Sequence, residues 1–125
     1  AVGATTFYVA ESNGTCEGIR SALVVTVNPA PNVPLASDQT VCVGTTATLT
    51  ASEASATNFN WYASFPLTSP VSTGSVYNTP VINTPTTFYV TSVNSFSCES
   101  DTNEVIVNVN VVAPPTASGV SICQV

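Results

Sequence analysis

The feature that most limits what this chain can become is an internal echo. Thr86-Thr87-Phe88-Tyr89-Val90 repeats Thr5-Thr6-Phe7-Tyr8-Val9, Cys98 repeats Cys16, and Val105-Ile106-Val107-Asn108-Val109 answers Leu23-Val24-Val25-Thr26-Val27. The spacing is 81 residues for the first motif and 82 for the other two. Pro34, Ala36, Ser37, Val41 and Cys42 likewise recur as Pro115, Ala117, Ser118, Ile122 and Cys123. Self-similarity at a fixed period marks an array of like modules. On this reading residues 1–31 hold the last two strands of one module, residues 32–112 a complete module, and residues 113–125 a linker and the first strand of a third.

The residues between these landmarks favour strands. In the whole chain twenty residues are Val and thirty-four are Ser or Thr, and β-branched side chains suit a pleated surface while losing rotamer freedom in helices. Residues 5–11 and 22–28 read as two strands around a tight turn at Asn13-Gly14. Pro29, Pro31 and Pro34 then interrupt the ladder and hold the backbone extended, as Pro114 and Pro115 do at the far boundary. Further strands are expected over residues 39–43, 46–51, 58–63 and from 75, before the two long strands of the repeated motif. Ala47, Leu49 and Ala51 should face inward, Phe59 and Trp61 should share one face, and in the last strand Val105, Val107, Val109 and Val111 should point one way with Ile106, Asn108 and Asn110 the other. Short strands at close, regular spacing indicate an all-β sandwich, and one-sided alternation indicates antiparallel sheets with one wet face.

Several chemistries are excluded. Without His there is no Ser-His or Cys-His nucleophile pair, and Arg20, the only basic residue, cannot build an anion clamp alone. The net charge of −6 repels nucleic acid and anionic membranes. No apolar run reaches the roughly 20 residues that span a bilayer, and no leader with a basic start and apolar middle is present, so any targeting segment is expected outside this sequence or already removed. No cofactor, metal site or catalytic residue is therefore expected. Glu99, Asp101 and Glu104 cluster in one loop, which lacks the dense Asp and Gly pattern of a calcium site and faces no second carboxylate across a cleft.

The remaining candidates concern contact and modification. Trp61 is either a stacking platform for a sugar or the largest anchor of the core, and its phase with Phe59 favours the core. Tyr62 and Tyr89 should face outward, as partner contacts or as ordinary cross-strand pairs. Asn13-Gly14-Thr15 spells a glycosylation sequon at Asn13, although the same residues serve as a plain turn. Cys16, Cys42, Cys98 and Cys123 form no Cys-x-x-Cys pair, and without His a zinc site would need all four thiolates, so they read as disulfide formers in an oxidising compartment, the alternative being buried free thiols.

Val41-Cys42-Val43-Gly44-Thr45-Thr46-Ala47-Thr48-Leu49-Thr50-Ala51, Asn60-Trp61-Tyr62, Thr86-Thr87-Phe88-Tyr89-Val90-Thr91, Cys98-Glu99-Ser100 and the closing Val-x-Val run resemble the Ig-like repeat modules of large secreted surface proteins of Bacteroidetes-type bacteria. The resemblance covers residues 32–112, with residues 1–31 and 114–125 similar to the end and start of neighbouring copies. It implies an Ig-like antiparallel β-sandwich outside the cell or at its surface, acting as stalk, spacer or adhesive repeat without catalysis. The pattern departs from antibody domains because Cys98 lies beyond the Tyr-bearing strand, so the inter-sheet disulfide packed on a Trp is not carried over. In Ig order Cys42 and Cys98 fall at opposite poles, whereas disulfide Cα atoms lie within about 7 Å. Pairing within the module, which would contribute on the order of 4 kcal/mol by the chain-entropy model, and pairing across a junction both stay open.

Flanking segments that are only parts of modules leave sheet edges to be completed. The expected role is a structural repeat unit of an extracellular filament or surface stalk, a homo-polymer whose partners are copies of itself or neighbouring repeats, assembled head to tail by strand contacts. The alternative is a glycan-binding or adhesin module.

Overall fold

A computed structural model of the chain describes residues 2–124. Ala1 and Val125, the outermost residues of the two flanking segments, lie outside the described residues. The β-branched runs become strands and the described residues contain no helix. In chain order these are β1 (Gly3–Val9), β2 (Ser21–Val27), β3 (Gln39–Cys42), β4 (Thr48–Thr50), β5 (Asn58–Tyr62), β6 (Ser72–Thr73), β7 (Val76–Asn78), β8 (Thr86–Val93) and β9 (Asn103–Asn110). They form a five-stranded sheet in the order β3-β9-β8-β5-β6, a two-stranded sheet β4-β7, and a separate two-stranded sheet β1-β2.

The sandwich lies between the five-stranded sheet and the β4-β7 pair. Ala47, Leu49 and Ala51 from the β4 segment meet Phe59 and Trp61 of β5, Tyr77 of β7, Phe88 and Val90 of β8, and Val105 and Val107 of β9, in one buried cluster with Ile82. The expected alternation faces the core through Val107 and partly at Val109, but Val111 departs from it: β9 ends at Asn110 and Val111 is 71% exposed, since no ladder holds its side chain on the inner face. Tyr77 is the hinge of its aromatic packing, 5.8 Å from Trp61 and edge-on to Phe88 at 5.5 Å between ring centroids, separations at which tilted aromatic pairs attract. Trp61 is fully buried, and its indole Nε1 donates to the Gly74 carbonyl at 2.9 Å, so its polar edge enters the core satisfied. Among the described residues no buried side-chain nitrogen or oxygen lacks a partner.

One pairing differs from the antiparallel expectation. β3 runs parallel to β9, with Gln39, Thr40, Val41 and Cys42 opposite Val107, Asn108, Val109 and Asn110, so the large sheet is mixed at that edge. The Pro-rich entry segment dictates this direction. Asn103 Nδ2 donates to the carbonyl of Pro34, Ser92 Oγ to that of Asn32, and the Ile106 amide donates to Asp38 Oδ1. These bonds lay residues 32–38 along the start of β9 and launch β3 in the same sense. Gly44, at φ +80, then turns the chain away, its amide donating to the Ile82 carbonyl, in a conformation that a side chain disfavours.

The flanking segments have no comparable core. Every residue of β1 and β2 is exposed, and residues 111–124 form no strand. A strand needs a ladder partner, and none lies beside residues 113–124, where the first strand of a following module is expected, among the described residues.

Candidate functional site

The repeated motif builds two hairpins, β1-β2 and β8-β9, and their registers coincide. Thr5↔Val25, Thr6↔Val24, Phe7↔Leu23, Tyr8↔Ala22 and Val9↔Ser21 in the first match Thr86↔Val107, Thr87↔Ile106, Phe88↔Val105, Tyr89↔Glu104 and Val90↔Asn103 in the second. The loops agree as well. Asn13 Oδ1 accepts from the amides of Thr15 and Cys16, as Asn94 Oδ1 accepts from those of Phe96 and Cys98. Ser12 bridges to Glu17 where Val93 bridges to Glu99. Asn13 thus serves its turn through its carbonyl oxygen and stays exposed.

Their surroundings differ completely. Phe88 and Val90 are buried under β4-β7, whereas their counterparts Phe7 and Val9 are 55% and 61% exposed. Leu23 and Val25, the counterparts of the fully buried Val105 and Val107, are exposed too. A two-stranded sheet is at best marginal alone in water, and a contiguous exposed apolar surface marks an interaction site. The hairpin is therefore the first candidate surface.

The second lies on the outer face of the five-stranded sheet. Tyr62 and Tyr89 are cross-strand partners there, and Glu99 folds over them from the β8-β9 loop. Its Oε1 accepts from the Tyr62 hydroxyl at 2.7 Å, from Asn60 Nδ2 at 3.2 Å and from the Thr91 hydroxyl. Burial pushes the Glu99 carboxyl up, but the hydrogen bonds from Thr91, Tyr62 and Asn60 outweigh it and hold it below the usual carboxylate range. Burial, then the bond to Glu99 and its charge, raises the Tyr62 hydroxyl above its ordinary value.

This corrects the expectation for Tyr62. It faces outward, but it is only 5% exposed, because Glu99 supplies the acceptor that lets its hydroxyl leave water; it is not free for partner contact. Tyr89 is half-buried, its ring 6.1 Å from that of Phe65, which is 71% exposed. Phe65 was not singled out by sequence reasoning and carries no repeat signal. The role of Glu99 was also missed, although the Cys-Glu pair at 16–17 and 98–99 was a usable signal. In the first hairpin Glu17 pairs instead with Arg20, Nε to Oε1 at 3.0 Å, since Ala10 replaces Thr91 and no strand equivalent to β5 lies beside β1 among the described residues.

The cysteines are dispersed. Cys16, Cys42 and Cys123 are exposed, Cys98 is half-buried, and all four are free thiols. Cys42 stands opposite Asn110 at the end of β9, while Cys98 precedes its start, so the length of an eight-residue strand, roughly 25 Å, separates them. Glu99, Asp101 and Glu104 form no metal-binding group, and no other such group occurs among the described residues. No helix among the described residues is long and apolar enough to cross a membrane.

A family model described as "Ig-like domain CHU_C associated" matches residues 31–111. A search of curated proteins found no match.

Proposed function

The chain belongs to the Ig-like, CHU_C-associated domain family, and on that premise we propose that it is a structural, non-catalytic repeat unit of an extracellular filament or cell-surface stalk. Domains of this family are Bacteroidetes-associated, typically non-catalytic, and occur in secreted or surface proteins. The observation that carries the proposal is the shared register of the two hairpins: one completed by five further strands, the other bare. That contrast supports a tandem organisation in which residues 32–112 are one module and the flanking segments, residues 1–31 and 113–125, belong to neighbours. Modules meet head to tail through strand contacts, with copies of the same unit as partners, and a heterologous contact of this kind propagates as a filament. The separation of Cys42 from Cys98 supports disulfides across junctions instead of within a module.

Hydrogen exchange as a function of concentration tests the assembly. Amides on the outer edge of β2 should gain protection as concentration rises, in step with assembly. Exchange there that stays fast at every concentration, beside a protected β8-β9 hairpin, contradicts the proposal.

A glycan-binding role is the second reading, and one observation favours it: exposed Phe65 beside Tyr89 on the outer face, near the carboxylates of Glu99 and Glu104. It places the sugar-stacking rings at Phe65 and Tyr89, not at the buried Trp61.

A further inference from the structure

Because the two hairpins agree pair by pair, the strand that flanks one of them shows what the other lacks. β9 carries β8 on one side and the parallel β3 on the other. β2 carries β1 on one side, and its other edge is unpaired among the described residues. The chain also holds a second version of β3. Pro115, Ala117, Ser118, Ile122 and Cys123 follow Pro34, Ala36, Ser37, Val41 and Cys42 at a constant spacing of 81 residues, within an exposed segment that forms no strand. Resting on the head-to-tail reading above, we infer that residues 120–123 of one copy add as a parallel strand to the open edge of β2 in a second copy. The β3-β9 register fixes the pairing: Val120 opposite Val25, Ser121 opposite Thr26, Ile122 opposite Val27, and Cys123 opposite Asn28.

Three features of the chain support a second copy as the occupant. The first is reach. The tail leaves the sandwich beyond Asn110, whereas the hairpin is tied to the opposite pole, where Asn94 Nδ2 donates to the Pro29 carbonyl. Returning to its own β2 would take the tail back along roughly 25 Å of β9 and then reverse its direction, yet residues 111–119 extend at most about 32 Å in all, which leaves too little for the reversal. The second is charge. Neither β1-β2 nor residues 113–124 contain a charged residue, so copies of net charge −6 can meet there without burying a carboxylate. The third is punctuation. Pro114 and Pro115 cannot donate to a ladder, so the added strand must begin after them, which opposes slippage. Ile122 then takes the place of Val41, which packs half-buried against the core of the module.

Cross-linking tests the register directly. With Cys16, Cys42 and Cys98 changed to Ser in the full chain, Asn28→Cys brings a thiol opposite Cys123 of the neighbour, within the Cα separation of about 4.4–6.8 Å that a disulfide accepts. Oxidation with copper phenanthroline should give a ladder on a non-reducing gel. Val24→Cys in the same background, four residues out of register, should give about tenfold less, since the sulfurs then lie beyond reach. Ile122→Pro, outside the packed sandwich, should abolish elongated species in sedimentation while leaving Trp61 fluorescence unchanged. If the natural chain assembles but Asn28→Cys cross-links no better than Val24→Cys and Ile122→Pro has no effect, the strand assignment is overturned and head-to-tail assembly stands. If the natural chain stays monomeric throughout, both fall.

Discussion

Removing the Glu99 carboxylate should destabilise the sandwich by more than a solvated loop residue could. In Glu99→Ala the Tyr62 and Thr91 hydroxyls lose their acceptor, at sites 5% and 1% exposed. A buried donor left unsatisfied costs about 1–3 kcal/mol, so the pair implies a loss of about 2–6 kcal/mol. Asn60, at 3.2 Å and less buried, adds little because water replaces its partner. Glu99→Gln keeps an acceptor but loses its charge. Bonds to charged groups contribute about 1.5–3 kcal/mol against about 1 for neutral ones, so that change should cost about 1–3 kcal/mol. Tyr62→Phe in the Glu99→Ala background removes one of the stranded hydroxyls and should restore part of the loss, giving a coupling energy of about 1–3 kcal/mol. Urea unfolding followed by the fluorescence of Trp61, the single tryptophan, reads all four corners of the cycle. Additivity of Glu99→Ala and Tyr62→Phe within about 0.3 kcal/mol would refute the reasoning. The pH dependence has a definite sign. The folded-state pKa of Glu99 is lowered, so its contribution is complete above the unfolded carboxyl value of about 4.3 and is lost as pH falls through the folded value. The stability gap between the natural chain and Glu99→Gln should therefore close on acidification and be constant near neutrality.

Other expectations follow from the same geometry. Trp61→Ala should cost about 3–5 kcal/mol from the cavity it leaves, while Trp61→Phe keeps the ring but strands the Gly74 carbonyl, and thermal unfolding should rank the two in that order. On a non-reducing gel, oxidised native material should show a ladder that collapses on reduction, and mass-spectrometric mapping should find no internal Cys42–Cys98 peptide; a single band containing that peptide would contradict the separation along β9. At alkaline pH, Tyr62 and Tyr77 should titrate above free tyrosine, since burial raises both, and stability should fall as pH rises through their folded values. If the glycan reading holds, Tyr89→Ala or Phe65→Ala should abolish retention on a polysaccharide column without altering assembly, whereas unchanged retention removes that reading.

The parts of this molecule visible in its sequence are those set by period-two alternation and by repetition. Ala47, Leu49 and Ala51, or Val105 and Val107, declare their inward face within a few residues of chain, and burial follows directly. The matching registers of the two hairpins were implicit in Thr-Thr-Phe-Tyr-Val, because the same side chains around similar turns select the same cross-strand pairs. The parallel run of β3 along β9 was not visible. It is set by bonds that Asn103, Ser92 and Ile106 donate to Pro34, Asn32 and Asp38, sixty or more positions away, a scale on which local pattern is silent. Tyr62 was placed on the correct face and given the wrong exposure for the same reason. Alternation tells which side of a sheet a residue occupies, but only the loop carrying Glu99 decides whether that side is wet. The opposite poles of Cys42 and Cys98 followed from the Ig strand order that the resemblance implies, and the length of β9 then keeps them apart.

The most direct test of the account is sedimentation velocity of the full 125-residue chain from micromolar to millimolar concentration, under oxidising and reducing conditions. Head-to-tail assembly through the exposed hairpin is expected to give species whose mass and frictional ratio rise together with concentration, some persisting under oxidation when diluted. A single compact monomer at every concentration, in both conditions, would contradict the claim that this Ig-like module is built to join copies of itself.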